Sequence, residues 1–226
     1  MSAAVGVVVF PGTNCEHDVV SALGHLGAAP RLVFHTEGSL EGLDAVVVPG
    51  GFAHGDYLRP GAIARFSPVM EAVGRFAAGG GPVLGICNGF QVLTEAGLLP
   101  GALMRNDGLR FLCTTVECRV ESAASALTAD LEAGTLLRLP INHYEGNYTC
   151  DAGELALLER RGQVVLRYLD NPNGSTGSIA GVANEAGNVV GLMPHPERAS
   201  NPLLGSADGL PLLASFLAAA AVPGRR

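Results

Sequence analysis

The clearest chemistry lies in Gly85-Ile86-Cys87-Asn88-Gly89, a cysteine two residues from a glycine on either side, after an apolar run and before a helical pattern. In G-x-C-x-G a nucleophile sits on a sharp strand-to-helix turn, and the glycines are required where neighbouring backbone takes the space of a Cβ. Such a turn sets the sulfur at the positive end of a helix, which favours negative charge there. It also turns the Asn88 N–H toward the place where a tetrahedral oxyanion forms. A cysteine that closes an apolar strand is otherwise a small buried hydrophobe. The two glycines and Asn88 separate the readings.

Pro194-His195-Pro196-Glu197 is the second constellation, 108 residues beyond Cys87. A residue before proline is pushed into extended conformation, and in an extended chain positions i and i+2 face the same side. The Glu197 carboxylate should then lie beside the His195 imidazole and fix its tautomer. An imidazole so held takes a proton from a thiol and returns it to a leaving amine. A third segment, Val48-Pro49-Gly50-Gly51-Phe52, ends a strand on two glycines, so backbone N–H groups there can converge on an anion. A second oxyanion donor comes from a loop after a different strand than the nucleophile's, which suits Gly51.

The elements that position these residues follow from the apolar runs. Val5–Phe10, Arg31–Phe34, Ala45–Val48 and Pro82–Ile86 read as strands; the first is continuously apolar, as in a parallel sheet covered on both faces. The spacing predicts helices over Val19–Leu26, Pro68–Ala77 and Gly89–Ala96, giving a strand-helix alternation of the α/β kind. Beyond Phe111 the pattern changes. Leu112–Val120, Thr135–Leu139, Val164–Tyr168, Ile179–Ala183 and Val189–Met193 read as strands with little helix between them, expected as added antiparallel strands at one edge. Residues 183–188 read as the hairpin loop joining the last two. Leu210–Val222 is apolar but too short for the roughly 20 residues of a bilayer span, and reads as a buried terminal helix.

Composition bounds the rest. The 226 residues carry 14 Lys and Arg against 21 Asp and Glu, a net charge of −7, with 48% hydrophobic and 15% charged residues. Length alone suggests about one and a half domains. The acidic balance argues against a nucleic-acid partner, and the apolar content against disorder. The run Ala3–Phe10 lacks a preceding basic residue and a small-residue cleavage site, so it is expected to be a strand and not a signal peptide. Five cysteines, odd in number and without a CxxC pair, point to a reducing cytoplasm. Cys15, Cys113, Cys118 and Cys150 are expected to be reduced, buried or partly buried, and without a catalytic role. Cys113 and Cys118 lie five apart on a strand, hence on opposite faces, which is poor geometry for a shared metal. No metal ligand set is expected.

Gly85–Gln91 together with Pro194–Glu197 resembles the class I (triad) glutamine amidotransferases. More narrowly, the chain is similar to the glutaminase subunits of phosphoribosylformylglycinamidine synthases. That likeness runs through Phe10–Cys15, Pro49–Phe52, Gly55–Arg59, Leu93–Gly101, Asn171–Ser175, Ile179–Gly181 and Gly191–Met193. The resemblance implies a flavodoxin-like α/β fold in a single amidotransferase domain over residues 1–226, its central, mostly parallel sheet flanked by helices with an added antiparallel edge. It implies hydrolysis of L-glutamine to glutamate and ammonia, with Cys87 as the nucleophile forming a glutamyl thioester, His195 as base and then acid, and Glu197 as the orienting carboxylate. Gly51, Phe52 and Asn88 would supply the oxyanion hole. Gln91, Asn142, His143 and Tyr144 would border the glutamine, although Asn142 and Tyr144 stand where the family has an alanine and a glycine, and His54 where it often has an aromatic.

The chain has no G-x-x-x-x-G-K-[ST] loop. By resemblance, ATP and Mg2+ belong to a partner: a large synthase subunit that uses the ammonia to aminate formylglycinamide ribonucleotide, accompanied by a small third subunit. No cofactor, nucleic acid or membrane is expected for this chain, and its place is the cytoplasm. The alternatives are the glutaminase of another class I system and a catalytically silent relative.

Overall fold

The apolar run near the N-terminus forms β1 (Ala4–Val9), with Val5, Val7 and Val8 wholly buried, as a strand roofed by helices on both faces requires. The computed structural model describes residues 2–221; Met1 and residues 222–226 lie outside it, and with them Val222 of the expected terminal helix. After β1 come α1 (Glu16–His25), β2 (Ala29–Phe34) and β3 (Ala45–Val48). Helix α2 (Pro68–Ala78) has proline in its first turn, where a missing N–H costs no helical hydrogen bond. Then follow β4 (Val83–Ile86), α3 (Asn88–Glu95), β5 (Ala102–Met104), β6 (Leu112–Val120), β7 (Leu136–His143) and β8 (Asn147–Thr149). The chain ends with α4 (Ala152–Arg160), β9 (Val164–Tyr168), β10 (Ile179–Ala183), β11 (Val189–Leu192) and α5 (Leu210–Ala220).

Nine strands form one sheet in the order β2-β1-β3-β4-β11-β10-β9-β6-β7. The first five are mutually parallel, and their 2-1-3-4 succession is the flavodoxin-like winding. The last four add antiparallel pairings at one side, as expected from the sequence. One strand departs from that expectation. Val189–Leu192 pairs parallel with β4, from Val189 opposite Val83 to Leu192 opposite Ile86, and so belongs to the parallel core. It lies between β4 and β10, with all four of its residues buried.

Two features of the fold were not anticipated. The two-stranded β5–β8 ribbon is one; its strands are three residues each, too short for a period to show. Helix α4 is the other, although its start was readable: the Asp151 side chain accepts from the Glu154 N–H at 2.8 Å, the N-cap bond of an Asp-x-x-Glu sequence. Cys113 is exposed, against the expectation that the spare cysteines are covered. On β6 the alternating face turns Cys113 outward and Cys118 inward, and burial pushes the Cys118 thiol up to about 12.

Candidate active site

Cys87 joins β4 to α3 with φ 52° and ψ −107°, a conformation that costs a residue with a Cβ on the order of 1–3 kcal/mol. Both flanking glycines are needed to reach it. A Cβ at Gly89 would strike the Val48 carbonyl oxygen at the end of β3, and one at Gly85 would lie 2.6 Å from Leu93 Cδ1. The Cys87 N–H donates to the Leu192 carbonyl at 2.8 Å, so the elbow is tied to the end of β11 as well. The Cys87 thiol is 3.7 Å from the carbonyl oxygen of Asn142 on β7.

His195 follows β11 and is extended, φ −104°, and its N–H donates to the Pro140 carbonyl at 2.8 Å. Its Nδ1 stands 2.6 Å from Glu197 Oε1, with the two residues 1% and 2% exposed. Burial works against charge on this ring, but the Glu197 carboxylate and the sulfurs of Cys87 and Cys15 outweigh it and hold the pKa well above the ordinary histidine value. The ring's Nε2 and the second Glu197 oxygen are buried without hydrogen-bond partners among the described residues. Cys87 and His195 thus leave the carboxyl ends of adjacent parallel strands, β4 and β11, where open α/β sheets place ligands.

β3, on the other side of β4, ends in Gly50 and Gly51. Gly51 has φ 148°, and a Cβ there would lie 2.6 Å from the Asn14 nitrogen. It makes an isolated bridge to Thr13, outside the hydrogen-bonded positions of that pair. Phe52 differs from expectation: its N–H donates to the Gly12 carbonyl at 2.8 Å and is not free for an oxyanion. The Asn88 N–H opens α3, where the first helical donors lack partners within the helix.

A cleft of about 490 Å³ opens over Cys87 and His195, and Gly51, Phe52, Gln91, Asn142, His143 and Tyr144 all line it. Asn88 and Glu197 are buried behind its wall. The His143 ring meets Asn106 Oδ1 at 3.1 Å; burial and the neighbouring His195 push its pKa down to about 4, so it is neutral. Tyr144 stands partly exposed at the cleft. Gln91 is committed at both ends. Its Oε1 accepts from Asn88 Nδ2 at 2.9 Å and its Nε2 donates to the Glu145 carbonyl at 2.5 Å.

Sequence reasoning missed several residues of the same cleft. Asp56 accepts from Asn88 Nδ2 at 3.0 Å, while Asn88 Oδ1 accepts the Ala53 N–H at 2.9 Å, so one amide links the loop after Gly51 to the start of α3. Burial pushes the Asp56 carboxyl up to about 6; the Asn88 bond lowers it and the Glu145 charge adds to the rise. Cys15, Arg59, Arg105 and Arg198 also border the cleft. Arg198 was readable as the residue after Glu197; Cys15 lies far away in sequence and only the fold brings it in. His54 fills its place among rings, 5.3 Å edge-on to His35 and 5.9 Å from Phe10.

A doubly wound sheet with a cysteine elbow and a buried His–Glu pair on adjacent strands is the framework of a triad hydrolase acting on an amide. Residues 2–207 match the family described as the CobB/CobQ-like glutamine amidotransferase domain. The phosphoribosylformylglycinamidine synthase subunit PurQ of Rubrobacter xylanophilus is 61% identical over 218 residues, 96% of this chain and 99% of that protein. The subunit of the same name from Synechococcus elongatus is 59% identical over 215 residues, 94% of this chain and 97% of its own. Among solved structures, a chain of PurLQS from Thermotoga maritima superposes with a TM-score of 0.89 at 42% identity, covering 96% of this chain and 99% of that one. The chain belongs to the glutamine amidotransferase family, among its phosphoribosylformylglycinamidine synthase subunits.

Proposed function

We propose that Cys87, His195 and Glu197 hydrolyse L-glutamine, and that the ammonia goes to a partner synthase. The observation that carries this reading is the strained Cys87 elbow beside a buried His195 held 2.6 Å from Glu197. Cys87 Sγ gives its proton to His195 as it attacks the glutamine side-chain carbonyl, and the charge on the oxygen is met by the N–H groups of Gly51 and Asn88. Phe52 shapes this loop and does not donate. As the C–N bond breaks, the His195 imidazolium gives its proton to the departing ammonia and leaves a glutamyl thioester on Cys87. A water then loses a proton to His195 as it attacks the thioester carbon. The C–S bond breaks, His195 returns the proton to the sulfur, and glutamate and the free thiol result. Glu197 keeps the ring oriented and its charge balanced throughout.

Asn142, His143 and Tyr144 form the wall against which glutamine lies. Gln91 acts by positioning, since its amide already joins Asn88 to the Glu145 carbonyl. The whole chain, 1–226, works as a single amidotransferase domain in the cytoplasm. No helix among the described residues is long and apolar enough to cross a membrane. The ATP- and Mg2+-dependent amination of formylglycinamide ribonucleotide belongs to a large synthase subunit, with a small third subunit in the assembly; this chain itself takes no cofactor. Phe52, Tyr57 and Leu58 support docking near the cleft, because all three apolar side chains are exposed there. The test is a glutamine-analogue electrophile incubated with the reconstituted complex, followed by mass mapping. Modification of Cys87 is expected; modification of Cys15 instead would move the nucleophile.

A further inference from the structure

Asp56 lines the cleft over Cys87 and His195 and is half-buried, yet none of the ion pairs among the described residues includes it. The arginines that border the same cleft are engaged with other carboxylates: Arg59 with Glu95 at 2.5 Å, Arg198 with Asp18 at 3.1 Å and Arg105 with Glu145 at 3.4 Å. The side-chain bond that Asp56 accepts comes from a neutral amide, Asn88 Nδ2, onto Oδ1. A second acidic residue, Glu145, borders the cleft, and its charge adds to the rise that burial imposes on the Asp56 carboxyl. One chain of amides sets the two in place beforehand. Asn88 Nδ2 donates to Asp56 at 3.0 Å and to Gln91 Oε1 at 2.9 Å, and Gln91 Nε2 donates to the Glu145 carbonyl at 2.5 Å. A carboxyl that burial and a like charge make costly is thus fixed in a cleft, and a bound positive group relieves both costs.

We propose that Asp56 receives the α-ammonium group of L-glutamine, and so selects an α-amino acid over an amide that lacks the amino group. This rests on the glutaminase reading and adds to it the residue that recognises the far end of the substrate. In glutamine four bonds separate the carboxamide carbon, where Cys87 attacks, from the α-nitrogen. Asn88 directly follows Cys87, and its side chain holds Asp56, so the carboxyl stands within a small molecule's length of the sulfur. The ammonium group brings a positive charge and three N–H donors, which suit a carboxylate that has no cation of its own. Asn88 then serves both ends of the substrate: its N–H meets the oxyanion while its side chain holds the group that binds the ammonium. Glu145 adds negative charge to the same pocket, shared with Arg105. Keeping a carboxyl that costs the free chain stability is an exchange of stability for binding.

The test is steady-state glutamine turnover by the reconstituted complex carrying Asp56→Asn. Asparagine at this position keeps an oxygen that accepts from Asn88 Nδ2 but carries no charge, so the start of α3 stays braced while the ammonium loses its partner. KM for L-glutamine is expected to rise ~10–100-fold with kcat little changed, as for one charge-assisted bond made equally in the ground and transition states. A second readout uses 4-carbamoylbutanoate, which is glutamine without its amino group, as a competitor; its Ki should be the same in wild type and in Asp56→Asn. A wild-type KM in Asp56→Asn overturns the proposal. So does an equal loss of affinity for both molecules, which would make Asp56 a brace for Asn88 and nothing more. Asp56→Ala removes brace and charge together and should both raise KM and lower kcat; a fall in kcat at unchanged KM also overturns the proposal. Glutamine turnover that persists in Cys87→Ala would remove the hydrolytic reading itself, whereas the outcomes at position 56 bear on Asp56 alone.

Discussion

The two halves of the sheet do different work with different sequence patterns. In the parallel half, β1, β3, β4 and β11 are apolar on both faces, and three adjacent strand ends carry Gly51, Cys87 and His195. In the antiparallel half, β7 alternates exposed or half-buried with buried positions, and its end contributes the Asn142–His143 wall and the carbonyl near the Cys87 thiol. The reacting atoms therefore sit on the part of the fold with least freedom to relax. Strain at φ 52° persists only where the surroundings over-determine it, and the two-sided burial of β4 supplies that. The outer strands β6 and β7 tolerate more, because one of their faces meets solvent.

The sharpest way to break this contrast is Cys87→Ala in the reconstituted complex. Glutamine-dependent synthesis should vanish while synthesis from added ammonium salts persists; loss of both would make Cys87 structural. Glu197→Gln removes an orienting charge and not the nucleophile, so a loss of about 10²–10⁴-fold is expected in glutamine turnover, and undiminished turnover would remove Glu197 from the mechanism. The two halves are compared directly by Gly89→Ala and Leu139→Ala. The alanine at 89 meets the Val48 carbonyl and should cost about 1–3 kcal/mol in denaturant unfolding, with a far larger loss of activity as the elbow shifts. Leu139, wholly buried on β7, should cost more stability, about 2–5 kcal/mol on truncation, yet leave the folded protein's turnover nearer wild type. The reverse ordering of activities would refute the division.

Asp56 gives the smallest effect. Folding raises its pKa from 3.8 to about 6, so its neutral form is the favoured one in the native state. Its contribution is best below pH ~3.8 and is lost as pH rises through about 6. Asp56→Asn stays neutral and still accepts from Asn88, so its Tm should gain on wild type between pH 4 and 7, by about 2–4 °C for each kcal/mol. A gap that does not widen with pH would place the ionised carboxylate in better surroundings than burial indicates.

Much of this was legible in one dimension. β3, β6, β9 and β10 match their apolar runs to the residue, because continuous or alternating burial leaves a period behind. Cys87 and the His195–Glu197 pair were legible because the residues each conformation requires, glycine beside the elbow and proline around the histidine, lie within two positions in the chain. The ribbon of β5 and β8 was too short to carry a period. The place of β11 beside β4 could not be read, since an apolar four-residue strand looks the same in a core or at an edge. Phe52 shows the same limit at a single hydrogen bond: its N–H was free on paper until Gly12, forty residues earlier, closed on it.

The amino-acid sequence by itself determined the strained elbow at Cys87, the pairing of His195 with Glu197 and the α/β class of fold, all of them legible in spacing along the chain. Tertiary structure alone decided which donors remain free, which carboxyl is raised by burial, and that Cys15 stands beside His195. Those depend on desolvation and on contacts between segments up to 183 residues apart, such as the Arg198–Cys15 contact, and no local pattern records them.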